Sequence, residues 1–192
     1  LKKESKKKMK KQKIYFARHG TTEANKIKRH MGCLIDEPLN QEGLRDVYVL
    51  AESVPRYIDV IVSSPLKRAR QTADIVAGAL RIPVVEDSNL KERDGGSLSG
   101  KLWSDIKVET GGVIDIEKLR SNFEIDYKTY GGESPVEVRA RIQRFLARVR
   151  EEWKDKVVLA VTHAGIIRVC TLLAGYSTPP RIGNCSVVEL EI

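Results

Sequence analysis

Cysteine is scarce in this sequence: Cys33, Cys170 and Cys185 are odd in number and contain no CxxC pair. A disulfide scaffold and a cysteine zinc site are thereby disfavoured, and reduced thiols in a cytoplasmic protein are expected. Long apolar runs are missing too, and nothing approaches the roughly 20 apolar residues that cross a bilayer, so a membrane-spanning role is excluded. No h-region follows the basic start, which argues against a secretory signal. Past residue 13 there is no repeat, no low-complexity linker and no break in composition. At 192 residues the chain reads as a single domain over 14–192 behind a short tail.

The net charge of +8 raises the question of nucleic acid, but its distribution answers it. Residues 1–13, LKKESKKKMKKQK, hold eight lysines against one glutamate, so the remainder is nearly neutral. This stretch has no apolar periodicity and is expected to be a flexible, solvated tail rather than a nucleic-acid site. An oligomer is as compatible with the sequence as a monomer.

Short apolar runs at 14–17, 58–62, 82–85, 157–161 and 187–190 predict strands. Helical patterns lie between them. Asn40 is suited to cap a helix running to about Ser53, Pro65 to open one running to Ala79, and Ser134 with Glu137 to start the longest, whose stripe is Val138, Ile142, Phe145, Leu146, Val149 and Trp153. This alternation predicts a three-layer α/β/α sandwich with a mostly parallel central sheet. Residues 87–133 depart from it. They are punctuated by glycine, carry Trp103, Phe123, Tyr127 and Tyr130, and are expected to form a lid insertion.

Histidine is scarce as well, with three in the chain, and two stand at predicted strand ends. In open α/β sheets ligands bind outside the carboxyl ends of the strands. Three such ends are chemically unusual: Arg18-His19-Gly20-Thr21-Thr22, the run from Ser63 to Arg68, and Thr162-His163-Ala164-Gly165. His19, His163 and Glu92 could form a zinc ligand set, but Arg18 and Arg68 beside them would repel a dication. A tetrahedral dianion accounts for all the parts: guanidinium forks for its oxygens, backbone amides beside small residues such as Ala164, and an imidazole for phosphorus.

The residues that carry this chemistry also carry a resemblance. RHGTTEAN (18–25), the pattern Gly32, Asp36, Pro38, Leu39, SSPLKRARQTA (63–73), LKERDGGSLSG (90–100), GGES (131–134) and VTHAG (161–165) resemble, in order, the motifs of the histidine phosphatase superfamily, the phosphoglycerate-mutase-like proteins. The resemblance implies that His19 is a nucleophile that becomes phosphohistidine and that Arg18, Arg68 and His163 hold the phosphoryl oxygens. It further implies that Thr22 and Asn25 belong to the phosphate pocket, that Glu92 donates a proton to the leaving group, and that no metal or organic cofactor takes part.

Hydrolysis of a small phosphate ester is the expected activity. The separation of about 40 residues between Glu92 and Gly131 is shorter than the matching segment of the mutases, leaving less chain to exclude water. GGES also continues into Pro135, and KERDGG lacks mutase-like residues. Phosphoglycerate mutase is the alternative, and a non-catalytic phosphate-binding module the alternative of another class. Lys26, Lys28 and Arg29 are candidates to hold a second anionic group.

Overall fold

The computed structural model describes residues 12–115, 125–178 and 180–192. Most of the lysine-rich tail and Phe123 lie outside the described residues. The elements run β1 (Lys13–Arg18), α1 (Glu23–Lys26), α2 (Gln41–Ser53), β2 (Val60–Ser63), α3 (Lys67–Leu80), β3 (Val84–Glu86), α4 (Trp103–Glu109), α5 (Pro135–Glu152), β4 (Val158–Thr162), α6 (Ala164–Leu173) and β5 (Val187–Glu191). Lys13, counted with the tail on sequence grounds, opens β1, pairs with Glu191 and forms an ion pair with Glu189 at 2.8 Å.

The sheet order is β3-β2-β4-β1-β5. All neighbours are parallel except β5, which runs antiparallel to β1. Alternation along each strand distributes the core to two faces. Ile14 and Phe16 of β1 join Val158 and Ala160 of β4 in one cluster beneath α5 and α6, with Phe145 edge-on to Phe16 at 6.3 Å. Tyr15 and Ala17 join Leu159 and Val161 beneath α2 and α3. Each large side chain so buried contributes about 1.5–3 kcal/mol, and a one-residue slip would exchange the two faces. The three-layer α/β/α arrangement follows from this division.

Helix starts agree with the sequence at two of three places. Asn40 caps α2 by accepting from the Gly43 amide at 2.8 Å. Ser134 and Glu137 form the capping box of α5, whose buried stripe runs from Val138 to Val149. Pro65 does not open α3. The helix begins at Lys67, whose amide donates to Asp36 at 2.7 Å, while Ser64 Oγ accepts from the Leu66 amide at 3.3 Å. A remote carboxylate thus supplies the cap and moves the start two residues on.

Residues 87–133 form no strand among the described residues. They contain 3-10 turns at Ser88–Leu90, Gly96–Leu98 and Lys128–Tyr130, together with α4. Leu98, Ile106, Ile114 and Tyr127 form a small core of their own, against which Trp103 and Tyr130 pack. An isolated bridge from Leu102 to Arg29 ties this segment to the loop after β1.

Candidate active site

Strand register brings the histidines together. Arg18 of β1 pairs with Thr162 of β4, so the next residues, His19 and His163, leave adjacent parallel strands at the same edge. The His19 amide donates to Thr162 O at 3.0 Å, and the two rings lie 5.1 Å apart between centroids. The loop after β1 is held from both sides. Gly20 N donates to Thr72 Oγ1 at 3.1 Å, and α2 approaches so closely that a Cβ on Gly43 would lie 2.1 Å from Thr21 O. Only glycine permits that approach.

His19 is 3% exposed, and its Nδ1 lies 2.7 Å from Gly20 O. A carbonyl can only accept, so the proton sits on Nδ1 and the lone pair on Nε2. Burial, then the charges of Arg68 and Arg18, push the His19 pKa well below its ordinary value. The ring is neutral at physiological pH. His163 is lowered by the same causes in the same order, with His19 as a further contributor. Its Nε2 lies 2.9 Å from Ser64 Oγ, which already accepts from the Leu66 amide. Its Nδ1 is buried with no hydrogen-bond partner.

Two guanidinium groups complete this end. Arg68 is 1% exposed and donates to Ile35 O and Gly32 O, each at 2.9 Å. Arg18 donates to Ile182 O at 3.0 Å, and burial lowers its pKa to about 10. The Nε atom of each is buried without a hydrogen-bond partner, and Glu92 is the carboxylate whose charge acts on both. Burying like charges together is costly unless an anion joins them.

His19, Arg18 and Arg68 line a cavity of about 500 Å³ together with Asn25, Glu92, Ala164 and Gly165, whereas His163 is fully buried and is not part of the lining. Glu92 approaches from the 87–133 segment. Its carboxylate accepts from the Arg93 amide at 2.9 Å and the Gly165 amide at 3.3 Å. A Cβ on Gly165 would stand 2.4 Å from Glu92 Oε1, so glycine at the start of α6 makes room for the acid. Among the described residues no three His, Cys, Asp or Glu side chains gather as metal ligands, so the sequence-based rival set of His19, His163 and Glu92 is not assembled.

Thr22 is a different case. It is fully buried, and its Oγ1 accepts from Asn25 N at 3.2 Å as the cap of α1 and faces Met31 Sδ at 3.8 Å. It does not line the cavity. The capping demand of a helix start occupies the hydroxyl that the motif position suggested for a ligand. Lys26 pairs with Glu42 at 3.2 Å and also stands outside the cavity lining, whereas Lys28 and Arg29 are part of it.

Sequence reasoning overlooked Asn184 and Ser64 as site residues. Asn184 Nδ2 reaches His19 O, Gly20 O and Asn25 Oδ1, each at 3.1 Å. It precedes the antiparallel strand β5, which starts at the edge where the others end. Ser64, inside the SSPLKRAR stretch, was legible as part of a motif but not as the partner of His163. His30, the third histidine, lies 4.5 Å from the Trp103 ring and stacks on Tyr127 at 5.6 Å. Burial, opposed in part by Glu92, lowers its pKa to about 4.

A buried imidazole set among buried cations at the ends of parallel strands is an arrangement suited to a tetrahedral oxyanion. Comparison with known proteins agrees. The family model of the histidine phosphatase superfamily (branch 1) matches residues 14–192, and the chain belongs to that family. It is 34% identical over 166 residues to phosphoserine phosphatase 1 of Hydrogenobacter thermophilus, covering 84% of this chain and 76% of that one. A probable phosphoglycerate mutase of Proteus mirabilis is 32% identical over 185 residues, covering 93% and 84%. A solved mycobacterial glucosyl-3-phosphoglycerate phosphatase, complexed with VO3, superposes with a TM-score of 0.82 at 27% identity, covering 93% of this chain and 92% of that one.

Proposed function

We propose that this chain hydrolyses a small phosphate monoester through a phosphohistidine on His19. The observation that carries this reading is the neutral His19 ring, its lone pair on Nε2, beside two buried guanidinium groups with donors to spare and a second imidazole whose Nδ1 has no partner. A phosphoryl group supplies the acceptors these donors lack.

In the first step Nε2 of His19 attacks phosphorus and the ester P–O bond breaks, its electron pair going to the leaving oxygen. Glu92, protonated, delivers a proton to that oxygen, so an alcohol departs. Arg18, Arg68 and His163 face the charge spread over the equatorial oxygens. In the second step water attacks the phosphorus, the P–N bond returns its pair to Nε2, and the Glu92 carboxylate takes the water's proton. Asn25 and Ala164 border the phosphoryl end of the cavity.

Lys28, Arg29, Arg93, Arg168 and Arg181 line the remainder of the cavity with Glu92 as the acid among them, a balance suited to a leaving group with its own negative charge. The 87–133 segment acts as a partial lid over that group. The mutase-named relative keeps a second reading in view: return of the phosphoryl to a sugar acid.

Turnover of p-nitrophenyl phosphate in excess chelator tests the proposal. Wild type should be active and His19→Ala should lose at least about 10⁴-fold in kcat. A chelator-sensitive wild type, or an active His19→Ala, would end it. Net conversion of 3-phosphoglycerate in the presence of its bisphosphate, faster than phosphate release, would select the mutase reading.

A further inference from the structure

We infer that Arg141, on α5 and with no place in the phosphoryl site, is the positioning residue that aims Glu92, and that Glu133 locks it in place. The inference rests on Glu92 being the proton donor proposed above. Residues 89–94 run outside any strand and have no ladder to hold them, yet their backbone is satisfied almost carbonyl by carbonyl by side chains. Arg141 Nη1 donates to Asn89 O and, at 2.7 Å, to Lys91 O. Its Nη2 donates to Glu92 O at 3.3 Å. Thr162, the residue before His163, covers the carbonyl between them by donating to Leu90 O at 2.7 Å.

The other side of the guanidinium is fixed by a fork. Nε and Nη2 donate to Glu133 Oε1 at 2.8 Å and Oε2 at 3.0 Å. Glu133 then takes hold of the loop beyond the acid: its Oε2 accepts from Asp94 N at 2.9 Å and its own amide donates to Asp94 O at 3.0 Å. All five donors of the guanidinium are used, and the pair touches the backbone on both sides of Glu92. Arg141 is 8% exposed and sits between Val138 and Phe145 on the buried face of α5, so its base is anchored in the main core. A planar, fully engaged guanidinium has one geometry, and lysine cannot reproduce it.

Loosening this brace leaves phosphoryl binding and His19 attack intact and removes the correct placement of the acid. The consequence is specific. A poor leaving group needs the proton and an activated aryl group does not. We would measure kcat/KM on phosphoserine, an alkyl ester, and on p-nitrophenyl phosphate for wild type, Glu92→Gln, Arg141→Met, Arg141→Lys, Glu133→Gln and the double variant Glu92→Gln/Arg141→Met.

Arg141→Met and Arg141→Lys should lose about 100-fold on the alkyl ester and less than about 3-fold on the aryl ester, the same pattern as Glu92→Gln. Glu133→Gln, which keeps one arm of the fork, should lose about 10-fold on the alkyl ester alone. The double variant should be no worse than Glu92→Gln. Equal losses on both esters in the Arg141 variants, or losses that add to that of Glu92→Gln, overturn the positioning role while leaving the proton donor in place. If Arg141→Met does not fold, the less buried Glu133→Gln decides, and an unselective loss there overturns the inference. Equal losses in Glu92→Gln itself would remove the acid assignment and this inference together.

Discussion

The two ends of the cavity are built by opposite means. The phosphoryl end hangs on strand register: Arg18 with His19 and Thr162 with His163 leave neighbouring strands in step, and the backbone ladder decides their separation. The leaving-group end has no ladder. Glu92 is held by the side chains of Arg141, Glu133 and Thr162 and by two amides. Positions set by a ladder tolerate a lost side-chain bond, because the backbone pairings on both sides still fix the strand. Positions set by side chains fail one residue at a time, and selectively.

The largest effect is expected at Gly165, where the two ends touch. Gly165→Ala puts a methyl on the space of Glu92 Oε1 and should cost about 100-fold on alkyl phosphates through misplacement of the acid. Affinity for vanadate, a phosphate-like anion expected to bind at the phosphoryl end, should change less than about 3-fold, as isothermal titration would report. A parallel collapse of both would show that the ends are one unit.

His30 comes next, through pH. Its pKa in the folded protein is lowered by burial to about 4, below the unfolded value near 6.5. The unfolded chain therefore binds this proton first, so stability is complete above about pH 6.5 and declines as pH falls toward 4. Between pH 6.5 and 5 the loss assigned to this one ring is about 2 kcal/mol. His30→Gln should remove that part of the acid sensitivity in urea melts. An unchanged pH slope would place the sensitivity in His19 and His163 instead.

The smallest effect is expected at Ser64. Removing its hydroxyl frees the proton arrangement of His163 but not the position of its backbone, so Ser64→Ala should lower kcat by about 10-fold. The loss should be the same for alkyl and aryl esters. A leaving-group preference would tie Ser64 to the acid end.

The division between the two ends also explains what could be read from the sequence. The five strands and helices α2, α3 and α5 were legible from β-branched runs bounded by turn residues, from caps and from the Val138–Val149 stripe, whereas α1, α4 and α6 were not read. The meeting of His19, His163, Arg18 and Arg68 followed from strand ends sharing an edge. Asn184 was hidden because alternation along β5 says nothing of strand direction, and the antiparallel turn is what delivers it. At Thr22 a helix cap and a ligand site compete for the same hydroxyl, and the cap is not visible in the motif. Arg141 left a faint mark: a charge three places after Val138 and four before Phe145, inside a stripe that should be apolar. Pro65 illustrates the limit of local rules, since Asp36, far away in sequence, decided where α3 begins.

The grip of Asn184 on the loop around His19 spans 165 positions of chain. Contacts so distant close late in folding, after the nearby pairings have formed. The loop that carries His19 is therefore clasped by the far end of the chain, and its full set of hydrogen bonds exists only with β5 docked beside β1.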